Sequence, residues 1–104
     1  MKIVMETIYH NQQRYDTVGD YWEDPDGTIQ IRATAGPDAV EILLHEFIEF
    51  MLCKRRGIRE PGVMAFDLAH PESDDPGMLP DAPYHREHVF ADAIDRLMTL
   101  ELSK

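Results

Sequence analysis

The chain has 104 residues, 43 % of them hydrophobic and 29 % charged, which is enough for one globular domain with a modest core of its own. Twenty acidic residues against ten basic ones give a formal net charge of −10, which argues against binding a nucleic-acid backbone and is compatible with metal ions or a basic partner. The single cysteine, Cys53, excludes an internal disulfide and fits a reducing compartment. Met1–Glu6 carries no long apolar run for a signal peptide and nothing approaches a transmembrane span, so a cytoplasmic protein without membrane contact is expected.

Lys2 to Tyr9 is β-branched and alternating, as in a strand, and the polar stretch His10 to Gln13 reads as a turn. Tyr15 to Glu23 and Thr28 to Ala33 are stronger strand candidates. Between them Asp24-Pro25-Asp26-Gly27 presets φ at proline and supplies the tight reversal at Asp-Gly, so a hairpin is expected. Alternation in the second arm turns Ile29 and Ile31 to the core.

Asp38 to Arg56 has the marks of a delimited helix. Pro37 suits the first turn, and Asp38 and Glu41 favour the positive end of the dipole. Lys54, Arg55 and Arg56 sit at the negative end, with Gly57 to stop it. At 3.6 residues per turn, Glu41, His45, Glu49 and Cys53 form one ladder, and Val40, Leu43, Leu44, Phe47, Ile48, Phe50 and Met51 cover most of the rest. The polar stripe then faces either water or a cleft.

From Gly57 to Pro83 the chain is rich in proline. Val63 to Ala69 holds a short helical or strand-like piece with Phe66 as its core anchor, and the acidic run Pro71 to Gly77 reads as a functional loop or a plain connector. Tyr84 to Leu102 is the second long helix, with Phe90, Ala93, Ile94, Leu97 and Met98 as its apolar stripe and His85, His88, Asp92 and Asp95 mostly opposite. Glu87 falls on the apolar side, either as a first-turn dipole partner or turned into an internal site. The residues therefore point to one α+β domain over 1–104, a small antiparallel sheet of N-terminal strand plus hairpin packed on two long helices.

Inside the first helix lies His45-Glu46-Phe47-Ile48-Glu49, an H-E-x-x-E run. Histidine with a carboxylate at i+4 converges two lone pairs on one helix face, and zinc accepts both. Glu46 sits where H-E-x-x-H enzymes keep the general base for water, while Glu49 replaces the usual second histidine. A carboxylate there lowers the charge on the metal and favours a harder ion such as manganese. Further ligands come in one packet on the second helix: His85, Glu87 and His88. The bland alternative is an amphipathic helix with a solvated His/Glu stripe.

A hairpin running into a helix with Leu44-His45-Glu46-x-x-Glu49, followed by Glu87-His88-Val89-Phe90-Ala91 on a later helix, resembles the minimal zincin metallopeptidase core. The likeness is to small ImmA/IrrE-like proteins typical of phages and mobile elements. It spans roughly Tyr21 to Met98, with about fifteen specific residues in the motifs. It implies that His45 is a ligand, that Glu46 is the base, and that Glu49 stands at the second ligand position. Glu87 or His88 then provides the third ligand, to a divalent ion, zinc foremost, acting on a protein or peptide. A second function class fits the charge: an acidic interaction protein that binds and inhibits a basic host protein.

Overall fold

The computed structural model describes all 104 residues. It contains β1 (Ile3–Ile8), β2 (Gly19–Glu23), β3 (Ile29–Thr34), α1 (Ala39–Arg55), α2 (Glu60–Ala69) and α3 (His85–Leu102), with single 3-10 turns at His10–Gln12 and Pro76–Met78. The α+β class, the N-terminal strand with its hairpin and the two long helices are as the sequence implies. No helix is long and apolar enough to cross a membrane.

The hairpin turn forms as its residues dictate. Gly27 adopts φ +87°, its N–H donates to the Asp24 carbonyl at 2.9 Å, and the Thr28 N–H donates to the Asp26 carboxylate at 2.9 Å. Ile29, Ile31 and Ala33 point to one face of β3 and are buried there.

The sheet differs from the expected antiparallel arrangement in one pairing. Its order is β1-β3-β2, with β2 antiparallel to β3 and β1 parallel to it, Ile3 opposite Ile29. The cause lies in the connection between β1 and β2. Tyr15 to Val18, expected as the start of a strand, instead runs on from the His10 turn, and β2 begins only at Gly19. A loop this long leaves β1 and β2 one strand-width apart. β3 returns from the tight hairpin into that gap, so it runs parallel to β1.

α1 lies against the sheet. Pro37 precedes the helix instead of entering its first turn, and Asp38 is the N-cap residue; Gly57, at φ +72°, ends the helix as expected. The apolar core joins Tyr21, Ile29 and Ile31 of the sheet to Phe50 and Cys53 of α1, Val63 of α2, and Ala82 and Tyr84. Phe66 packs against its edge, and Val63 to Ala69 resolves as the larger part of a helix started by Pro61.

α3 sits inside-out relative to the expected apolar stripe. Tyr84, Glu87 and Ala91 are buried and His88, Asp92 and Asp95 are half-buried, whereas Phe90, Ala93 and Leu97 face solvent. Charge pairing permits the inversion, because Glu87, His88 and Asp95 each meet a counter-charge on α1 or just after it.

Candidate metal centre

α1 and α3 present their polar faces to each other at one end of the sheet. His45 and Glu49, one turn apart on α1, are both buried, and so is Cys53 a turn further on, so the stripe faces the interior. α3 brings His88 opposite. The Nε2 atom of His45, the Oε1 atom of Glu49 and the Nδ1 atom of His88 close a triangle with sides of 3.2, 3.5 and 2.7 Å.

The other nitrogen of each imidazole lies close to a carboxylate. His45 donates from Nδ1 to Asp95 at 2.6 Å, which leaves the Nε2 lone pair for the triangle. Nε2 of His88 lies 2.8 Å from Asp75 but out of line with it, so this buried nitrogen has no hydrogen bond. Carboxylates behind ligating histidines fix the tautomer and raise basicity, and this is the arrangement found around bound metals.

The electrostatics of the cluster follow from burial and pairing. Burial alone would depress the His45 imidazolium, but the hydrogen bond to Glu49 and the charges of Glu46 and Glu49 outweigh it, and its pKa is pushed up to about 9. For His88 the Asp75 and Glu49 carboxylates likewise overcome burial, to about 10. Burial would raise Glu49 too, yet the two histidines hold it below the ordinary carboxylate range. Glu46 goes the other way. Burial, and then the Glu49 charge beside it, push its carboxyl well above the usual value.

Glu46 occupies the edge of the same group, its carboxylate 3.8 Å from Nε2 of His45 and its side chain 13 % exposed. Two glycines make the room. A Cβ on Gly19, the first residue of β2, would lie 2.7 Å from the Glu46 side chain, and a Cβ on Gly77 would collide with the His88 ring. Both contacts are shorter than any real Cβ tolerates, so the strand and the loop close over the site only because these residues lack side chains.

Two of the residues named from sequence lie elsewhere. Glu87 is buried on the far side of His88, where its carboxylate accepts from Arg56 at 2.7 Å, the residue that caps α1. Nδ1 of His85 is 3.0 Å from the Gly77 carbonyl, which pins the loop over the site and takes this ring out of the cluster. A one-residue step on a helix is 100°, and it separates Glu87 from His88 completely. Asp95, which the sequence sets with His88 opposite the apolar stripe, turns inward with it, and Asp75 comes from the acidic loop, where no spacing marks it. The signal for Asp95 was its spacing, since seven residues from His88 is two turns along one face. Cys53 is a packing residue: the Tyr21 hydroxyl contacts its sulfur at 3.7 Å, and burial pushes its thiol up to about 12.

The group lies at the bottom of a cleft of about 600 Å³, bounded by α1, α2, the loop before α3 and the segment leading into β2. Its wall includes Asp67, which accepts from the hydroxyls of Tyr15, at 2.8 Å, and of Tyr84. The lining holds carboxylates and histidines and no lysine or arginine.

The donor set fits a divalent transition metal. Two imidazole nitrogens and one carboxylate oxygen are ligands of catalytic zinc, and a tetrahedral ion bonded at about 2.0–2.1 Å holds its ligand atoms roughly 3.3 Å apart. The triangle has that scale. Its hydrogen-bonding protons occupy the position of an ion, which would displace them. His45, Asp92 and Asp95 form a second group close enough to share an ion, but its histidine nitrogen is committed to Asp95.

No protein-family model, no curated protein and no solved structure matches this chain.

Proposed function

We propose that this protein is a zincin-like, metal-dependent hydrolase of the peptidase type, with His45, Glu49 and His88 as ligands of a divalent ion, zinc foremost. The observation that carries this reading is the convergence of the three ligand atoms within 3.5 Å of one another with Glu46 at their edge. It agrees with the resemblance of the H-E-x-x-E helix to the ImmA/IrrE-like motif, in which the glutamate after the first ligand is the base.

An ion held there supplies Lewis acidity, which activates water and polarises a carbonyl near neutral pH. The chain's own residues do the rest. Glu46 takes a proton from water at its free carboxylate oxygen and returns it to the leaving amine. Burial raises its pKa, which favours holding the proton it has taken until the amine leaves. Asp95 keeps the His45 proton on Nδ1, and the loop through Gly77 holds the His88 ring in place. The carboxylate-lined cleft favours a peptide that carries positive charge and disfavours phosphate-bearing substrates.

Glu46→Gln separates binding from chemistry. It is expected to retain the metal and to lose hydrolysis of basic peptides by at least about a hundredfold. Full activity in this variant would remove Glu46 from the proposed role.

A second reading has an observation of its own. The acidic lining of the cleft suits an interaction protein that captures a basic host protein, with the metal structural. Binding to such a partner that weakens with salt and ignores chelator would favour it. A pull-down at low salt that recovers no basic partner would count against it.

A further inference from the structure

We propose that the outer face of α3 is the contact between two copies of this chain, paired in parallel about a two-fold axis. The starting observation is the inversion of this helix. With its polar face turned to α1, its apolar residues are left in solvent: Phe90 is 53 % exposed, Leu97 62 % and Leu100 62 %, and Ala93 is exposed between them. A monomer gains nothing from placing these side chains in water, and no other element of the fold covers them.

Their spacing is specific. Phe90, Ala93, Leu97 and Leu100 follow one another in steps of three, four and three residues, which is the a/d pattern of helices that pack side by side. Val89 and Met98 are exposed beside the row, and Arg86 and Lys104 mark its ends, so it has the length of one helix.

The charges beside the stripe choose the partner. In this register Arg96 occupies the g position and Glu101 the following e position, which is the pair that faces across a parallel two-helix seam. A second copy therefore meets each Arg96 with the other copy's Glu101, twice by symmetry. An antiparallel copy would set the g positions Val89, Arg96 and Ser103 against one another and offer Arg96 no carboxylate. Both groups have capacity to spare. Arg96 bonds Asp92 through Nε, leaving its terminal nitrogens free, and Glu101 meets Lys104 through one oxygen only. Both side chains are exposed.

Sedimentation of the intact protein across a range from low micromolar to near-millimolar concentration tests this. A reversible dimer is expected. Leu97→Arg should abolish it, and Arg96→Glu should weaken it about tenfold or more. Arg96→Glu combined with Glu101→Arg should restore it, since the swap re-creates the pair with reversed sign. Under mild oxidation Leu97→Cys should form a disulfide across the axis, because only the parallel register puts residue 97 against itself; Cys53 is buried and does not compete. These positions are exposed, so helicity and metal content should not change, which keeps this test apart from that of the metal centre. A strictly monomeric native protein would overturn the pairing and leave the face to a different partner. A dimer indifferent to Leu97→Arg, or one the charge swap does not rescue, would overturn it equally.

Discussion

α1 has two interiors. Toward the sheet, Phe50 and Cys53 join Tyr21, Ile29 and Ile31 in contacts that are almost wholly apolar. Toward α3, a quarter-turn away, His45 and Glu49 meet His88 and Asp95 in a contact made of charge. The two sides obey different physics. The apolar side gains free energy from every methylene it buries and specifies no single arrangement of atoms. The polar side gains little net stability, since desolvation offsets its pairing, but it fixes particular atoms within a few tenths of an ångström. The first holds the fold, and the second aims its ligands.

Breaking the apolar side should therefore have the largest effect on folding and none on the chemistry of what remains folded. Ile31→Ala, at a fully buried position, is expected to cost about 2–5 kcal/mol. Chemical denaturation would measure that, and the surviving native protein should keep its metal stoichiometry. Gly77→Ala sits on the border between the two sides. Its new methyl must displace the His88 ring, so it should cost about 1–3 kcal/mol and also weaken metal binding, read by denaturation and by competition with a chromogenic chelator.

Effects on the polar side alone should be smaller in stability and sharper in function. In chelator-treated protein, His45 and His88 have pKa values of about 9 and 10, against an ordinary 6.5. Groups raised on folding stabilise fully below the unfolded value and lose that contribution as pH climbs through the folded one. Stability of the chelator-treated protein should thus decline from about pH 6.5 to about pH 10, whereas metal affinity should rise across the same range until the ligands have lost their protons. Thermal melts at fixed ionic strength, with and without zinc, would show the opposed slopes. Asp95→Asn should move stability least of all. It keeps the shape and loses the charge behind His45, and metal affinity should fall about 10–100-fold.

What was legible in the sequence divides along the same line. The Asp24–Gly27 turn, the Gly57 stop and the span of α1 could be read because each depends on local backbone chemistry. The i, i+4 pair His45 and Glu49 could be read because one helix sets both positions. The parallel pairing of β1 depends on how far a loop reaches, which no local residue encodes. The orientation of α3 went the other way from its apolar stripe, because hydrophobic periodicity assumes that charge stays in water. Here Glu87, His88 and Asp95 each find a counter-charge from α1 or its cap, which lets this face be buried and leaves the stripe outside. The glycines that admit Glu46 and His88 were invisible for a related reason, since what a missing side chain makes room for is known only in three dimensions.

The most direct measurement is the zinc content of the purified protein beside three variants: His45→Ala, His88→Ala and Glu87→Gln, each first shown to be folded by circular dichroism. Near-stoichiometric zinc in the native chain and in Glu87→Gln, lost in both histidine variants, is the expected result. Zinc retained in His88→Ala, or lost only in Glu87→Gln, would contradict the assignment of the centre to the face of α3 that carries His88.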